Sequence, residues 1–281
     1  MTDPDRNLIN GVLPAVTSAP VAHYTRLGTL PHLVGSTGWV SAWATPVQFL
    51  NDRRELTLGL EVLREVAGTP PMSSQRVRHL IESLLNAPGA LRTDAFQMSF
   101  SGNEDDLGQW RGYGANGMGC AVVTDAAAVR TAADIAGWVI YDPKRQGTFA
   151  RKVLESLRGR TDTPHMEQAL VAAACFIKDE GFRPEREFRL VCFAATRTVR
   201  FRGTGDRLVP FIDYLEAPPG RPVPAPLPLR RVVIGPGWQL GQLSSSVRER
   251  HHVMLGVRRL LEERRLTTVG VVHSAIPFDP R

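Results

Sequence analysis

Ala95-Phe96-Gln97-Met98-Ser99-Phe100-Ser101 alternates apolar and polar side chains. A period of two predicts a strand, with Phe96, Met98 and Phe100 on one face and Gln97, Ser99 and Ser101 on the other. Two hydroxyls on one face of a buried strand need partners; the alternative is an exposed polar face. Shortly after comes Gln109-Trp110-Arg111-Gly112-Tyr113-Gly114. This concentration of hydroxyls, rings, a guanidinium and flexible backbone suits a pocket for a polar, planar ligand. Trp110 and Tyr113 could clamp a flat heterocycle there, or could plug the core.

Outward from this strand, residues 21–24 read as a short strand, Thr25 as the cap of a brief helix ending at Gly35, and 39–43 as another strand. Asn51-Asp52 offers a cap to a helix over 53–66 with Leu56, Leu60 and Leu63 on one face; an acidic site beside a cleft is the other reading. Ser73 or Ser74 caps a helix carrying Val77, Leu80, Ile81, Leu84 and Leu85. Next come a strand at 120–124, a short helix capped by Asp125, a strand at 139–141, and helices over 144–157 and 165–178. The second has a stripe of Met166, Ala169, Leu170, Ala173, Phe176 and Ile177. Glu187–Phe193 reads as an apolar strand, with 199–201 and 208–214 as its antiparallel neighbours. The Pro-rich run 217–228 reads as a surface loop. Arg231–Ile234 is a strand, 244–265 a long basic amphipathic helix, and 269–273 a closing strand. There is no internal repeat, no regular βαβ rhythm, and no Gly-x-Gly-x-x-Gly opening a helix after the first strand. The expectation is an α+β fold: a split, largely antiparallel mixed sheet surrounded by helices. Residues 1–20 read as an irregular N-terminal arm and 21–281 as a single domain.

No apolar run approaches the ~20 residues needed to span a bilayer. The polar start, with Asp3 and Asp5, lacks the features of a secretory signal. A cytoplasmic protein without membrane contact is expected. Cys120, Cys175 and Cys192 are an odd, widely spaced set, which argues against a disulfide framework. Their aliphatic neighbours would leave them as inert, reduced thiols. The net charge of +6 permits a nucleic-acid partner. The 244–265 helix could touch phosphates through Arg248, Arg250, Arg258, Arg259, Arg264 and Arg265, but Glu249, Glu262 and Glu263 interleave as on an ordinary solvated face. No metal site is expected. The histidines are scattered, and adjacent His251 and His252 diverge by about 100° on a helix. Neither His-x-x-x-His nor Cys-x-x-Cys occurs, nor a nucleophile elbow or phosphate loop.

His23-Tyr24-Thr25 closes the first strand. An imidazole there could bond a ligand hydroxyl while the adjacent backbone binds an amide edge-on; alternatively, His23 is a satisfied histidine at a strand–helix junction. Glu185-Arg186-Glu187-Phe188-Arg189 leads into Leu190-Val191-Cys192-Phe193. A carboxylate at the mouth of a buried strand suits catalysis. The structural alternative is a salt bridge from Glu187 to Arg189 of a neighbouring strand, or to Arg111.

The chain resembles bacterial domain-of-unknown-function family 2971. The matching runs are His23-Tyr24-Thr25, Leu50-Asn51-Asp52, Ser99-Phe100-Ser101, Leu107-x-Gln-Trp-Arg-x-Tyr-Gly, Gly117-x-Gly119, Phe182 through Glu187-Phe188-Arg189, Val233-Ile234-Gly235-Pro236 and Ser274-x-Ile276-Pro277. More distantly it resembles the ADP-ribosyltransferases. Their motif strands carry, in order, a His or Arg, a Ser-Thr-Ser or Tyr, and a Glu often within Glu-x-Glu. His23 and Thr25 fit the first, Ser99-Phe100-Ser101 the second and Glu185-x-Glu187 the third. Tyr24 stands where glycine is usual. That resemblance implies NAD as substrate and a protein or nucleic-acid acceptor, in a toxin or phage-defence effector. With water as acceptor the chain would be an NAD glycohydrolase; without turnover, a nucleotide-binding module. Glu187 would steady the oxocarbenium-like ribose. His23 would hold the other ribose, the Tyr24 backbone would fix the carboxamide beside Thr25, and Ser99 with Ser101 would position the carboxylate. Trp110 or Tyr113 would stack on a ring, and Arg111 would neutralise pyrophosphate.

Overall fold

Ala95–Ser101 is a strand in the computed structural model, which describes residues 3–49, 54–72, 74–86, 95–194, 197–204, 207–216, 225–238 and 244–278. The strands are β1 (Pro20–Thr25), β2 (Val34–Gly35), β3 (Gly38–Trp39), β4 (Trp43–Pro46), β5 (Ala95–Ser101), β6 (Cys120–Asp125), β7 (Ile135–Trp138), β8 (Glu187–Phe193), β9 (Val199–Thr204), β10 (Arg207–Asp213), β11 (Arg231–Ile234) and β12 (Gly270–His273). The helices are α1 (Asp3–Val12), α2 (Leu30–Leu33), α3 (Arg54–Ala67), α4 (Gln75–Asn86), α5 (Leu107–Gly112), α6 (Ala126–Ala132), α7 (Pro143–Leu157), α8 (Thr163–Ala174) and α9 (Ser244–Glu263). The fold is α+β, with a mixed, mostly antiparallel sheet between helices; β11 and β12 run parallel.

β5 is the hinge of this sheet. β8 pairs with it along one edge, from Ala95↔Phe193 to Ser101↔Glu187. The other edge is shared. β1 meets it only at Ala22↔Ser101, and β4 only at Thr45↔Gln97 and Pro46↔Phe96. From there the sheet forks. One wing runs β1, β6, β11, β12 and the other β4, β10, β9. Between the two attachments, Met98–Phe100 faces a gap.

Each face of the sheet has its own core. Val191 and Phe193 of β8 pack against α1, α3, α4, α7 and α8. Phe96, Met98, Phe100 and Leu190, on the other face, pack with Trp39, Val129, Val257 and Leu261. This is the alternation expected of Ala95–Ser101. α3 carries Leu60 and Leu63 inward, and Asp125 caps α6 through the amides of Ala127 and Ala128.

Several expectations need correction. The stretch expected to be irregular before residue 20 contains α1, whose Ile9 is buried in the helical core. Thr25 does not cap a helix; it ends β1, and a 3-10 turn follows from Leu27 with Arg26 at its cap position. The strand expected at 139–141 lies earlier, at Ile135–Trp138. The helix expected to reach 178 ends at Ala174, because Ile140 bridges to Ile177 and donates its amide to Phe176. β9 and β10 pair with each other and β10 with β4, not with β8. The cap expected at Asn51-Asp52 lies outside the described residues, as does most of the Pro-rich run.

Candidate functional site

The fork of the sheet opens into a cavity of about 950 Å³. Its volume is at the upper end of ligand pockets. His23, Tyr24 and Thr25 line it from β1, Gln97, Ser99 and Ser101 from β5, and Glu187 and Arg189 from β8. The three stretches singled out in the sequence therefore border one cavity.

His23 and Glu187 reach it from opposite faces of the sheet. Glu187 stands opposite Ser101 on β5 and shares its face. His23 lies on the other face, its ring 6.0 Å from those of Trp39 and Phe100. Because the ladder between β1 and β5 ends at Ala22, the imidazole can fill the gap, where Nδ1 lies 3.0 Å from the Ser99 carbonyl oxygen. A carbonyl only accepts, so Nδ1 carries the proton. Burial lowers the His23 pKa, opposed by the Ser99 bond and reinforced by the charge on Arg202. His23 is thus neutral, leaving Nε2 as an acceptor for a donor group.

Glu187 is buried and held by two cations. Arg189, two residues along the same face, donates Nε to Oε1 (2.8 Å) and Nη2 to Oε2 (2.6 Å). Lys178 Nζ donates to Glu187 Oε2 at 3.1 Å and to Glu185 Oε2 at 2.6 Å. The Ser99 hydroxyl stands near enough to the Glu187 carboxylate to help hold it ionised. Burial alone would raise this carboxyl's pKa; Arg189, Lys178 and Ser99 outweigh it and hold the group at about 2. Arg189 also donates Nη1 to the Cys175 carbonyl at the end of α8, where helix carbonyls attract positive charge. The Glu187–Arg189 pair expected between strands therefore forms within one strand, and Arg111 has no part in it.

Ser99 lies between the two sides, its carbonyl bonded to His23 and its hydroxyl accepting from Gln97 beside Glu187. Ser101 ties the neighbouring turn: Oγ donates to the Glu185 carbonyl (2.8 Å) and accepts from the Asn103 amide (3.1 Å). Between the two glutamates Arg186 sits at φ 44°, a left-handed conformation that reverses the chain ahead of β8. The Tyr24 hydroxyl is likewise used by the loop, donating to the Asn103 carbonyl and accepting from the Asp106 amide.

Two expected ligand contacts are misplaced. Trp110 is fully buried, packs edge-on to Tyr24 at 4.7 Å and donates Nε1 to Asp105 at 2.7 Å. It belongs to a small core on one face of β1, β6 and β11 and offers no ring face to a ligand. Arg111 lies outside the cavity, 4.9 Å over the Phe278 ring. Exposed rings do stand along the cavity, namely Tyr113, Phe49 and Phe182. Sequence reasoning singled out Tyr113 alone among them. It also passed over Lys178, hidden inside a helix expected to continue, and Arg202, whose strand was expected beside β8. Gln97 was within reach, since alternation places it on the face of Ser99.

Among the described residues no cluster of His, Cys, Asp or Glu could hold a metal ion, and no helix is long and apolar enough to cross a membrane. None of the three cysteines is in a disulfide, and all are buried; burial pushes the Cys120 thiol up to about 12 and raises Cys192 as well.

Residues 109–190, from α5 into β8, match a family described as a protein of unknown function, DUF2971. No curated protein and no solved structure matches the chain.

Proposed function

We propose that the cavity binds NAD and that the chain transfers its ADP-ribosyl group to a protein or nucleic-acid acceptor, on an ADP-ribosyltransferase-like fold. The observation that carries this reading is the cavity at the fork of the sheet, which a neutral histidine and a buried, ionised glutamate both border, with Ser99 between them. The bond between ribose C1′ and the nicotinamide nitrogen breaks, and its electron pair leaves with nicotinamide. The ribose becomes oxocarbenium-like, and the Glu187 carboxylate stabilises that charge in a site shielded from water. The acceptor attacks C1′ and loses a proton; water in its place gives hydrolysis. His23 Nε2 accepts from a ribose hydroxyl, and Tyr113 or Phe182 covers a flat ring.

Glu187 reaches the ribose by giving up one present partner. Arg189 and Lys178 already engage both of its oxygens. Lys178 is closer to Glu185, so its shift onto Glu185 alone frees an oxygen lone pair. The same engagement favours a second reading, a nucleotide-binding module without turnover.

Nicotinamide release from NAD separates the two. The transferase reading expects release by the wild type and a fall of about a hundredfold or more in Glu187→Gln. Wild-type release no faster than the variant's overturns it. NAD-induced thermal stabilisation without release then supports the binding module.

A further inference from the structure

A nucleotide ligand brings negative charge, and most cations along the cavity are already committed. Arg189 and Lys178 neutralise Glu187 and Glu185. His23 is neutral, and Arg111 lies elsewhere. Arg202, on β9, has no carboxylate partner among the described residues. Its ring neighbours are Trp43 and Phe211, with the guanidinium carbon 5.5 and 5.8 Å from their centroids. One Nη2 proton goes to Thr45 Oγ1 at 3.2 Å, and Nε is buried without a partner. A guanidinium offers five donors in a fork that matches a phosphate.

A second orphan stands beside it. Gln97 is buried, lines the cavity and sits opposite Thr45 in the β4–β5 ladder. Its Nε2 donates to Ser99 Oγ at 3.1 Å, while Oε1 has no partner. Buried polar atoms without partners are uncommon, and each asks for an explanation. Here an unused donor and an unused acceptor border the same cavity, each next to Thr45.

We propose that Arg202, steadied by Thr45 and the rings of Trp43 and Phe211, is the phosphate-binding residue of this cavity, with Gln97 Oε1 receiving a ligand hydroxyl nearby. The ligand class is a nucleoside diphosphate or its ribose conjugate. This rests on the reading of the cavity as a nucleotide site and makes β9, on the opposite wing of the sheet from β1, part of that site.

Calorimetric titration of the full chain at low salt with ADP, inorganic pyrophosphate and adenosine tests the assignment. Wild type is expected to bind ADP more tightly than adenosine by about tenfold or more, and to bind pyrophosphate measurably. Arg202→Gln is expected to erase the gap between ADP and adenosine while leaving adenosine affinity unchanged. Arg202→Lys keeps the charge but loses the fork, and is expected to weaken ADP about three- to tenfold; it carries the test if the glutamine variant melts early. The assignment is overturned by wild type that binds neither ADP nor pyrophosphate, by equal wild-type affinity for ADP and adenosine, or by an ADP affinity that survives either substitution. An intact gap without nicotinamide release from NAD would sink the transferase reading alone. Release of nicotinamide without the gap would sink the phosphate site alone.

Discussion

At the scale of residues, the site is a balance of buried charges. Glu187 and Arg189 both lie below a tenth of their full exposure. Neither would be tolerated there alone, because desolvation of a single ion costs several kcal/mol. The carboxyl sits at about 2 in the folded chain against an ordinary 4.5. The unfolded chain therefore binds this proton first as the solution is acidified. The stabilisation, on the order of 3 kcal/mol, is complete above about pH 4.5 and is lost as pH falls through about 2. Glu187→Gln leaves Arg189 and Lys178 without their shared anion, and is expected to cost about 3–5 kcal/mol at pH 7. Urea denaturation between pH 7 and 2 checks this: the wild-type advantage should shrink across that acid window. An advantage independent of pH would mean that the pair is not ionic. Much of this was legible in sequence. Alternation placed Glu187, Arg189 and Val191 on one face, and the Ser99 pattern announced a hydroxyl beside them. Lys178 was not, because its neighbours continue a helical stripe and only the bridge between Ile140 and Ile177 breaks it.

At the scale of elements, local period predicted strands well and their partners poorly. Ala95–Ser101 and Glu187–Phe193 appear as read, since each alternates or runs apolar between polar ends. The fork between β1 and β4 has no local signature. It depends on which strand ends meet β5. Gly119, just ahead of β6, lets the chain close tightly against the end of β1. A Cβ on Gly119 would lie 2.2 Å from the Thr25 carbonyl oxygen and 2.8 Å from that of Gly114. Both obstacles are backbone and cannot swing away. Gly119→Ala is expected to cost about 2–3 kcal/mol in chemical denaturation. Gly112, at the end of α5, meets nothing within 4 Å. Gly112→Ala should therefore be neutral or stabilise by up to about 1 kcal/mol. Equal effects of the two substitutions would refute the close approach.

At the scale of the whole molecule, the first residues show why composition misled. Pro4, Asn7, Asn10 and Gly11 are poor helix formers, and together they read as an arm. Tertiary burial overrides that preference. Ile9 and Leu13, one helical turn apart, enter the core against α7, α8 and β7, and Leu8 and Val12 pack beside them. Leu13 lies over Gly137 on β7, 3.0 Å from where its Cβ would stand. Asn10 closes the contact, its amide donating to the Asp134 carbonyl and its own carbonyl accepting from Arg130. α1 thus covers the strand that flanks β8, on the side away from β5, and so supports the strand bearing Glu187. A dispensable arm could be removed at no cost. Deleting residues 1–13 should instead uncover apolar surface worth about 3–6 kcal/mol and lower Tm by roughly 10 °C or more. A scanning calorimetry trace superimposable on that of the intact chain would show that α1 does not hold this layer in place. The loss should fall on stability first: β8 retains its full ladder to β5 without α1, so a shortened chain kept below its melting point should still bind what the intact chain binds.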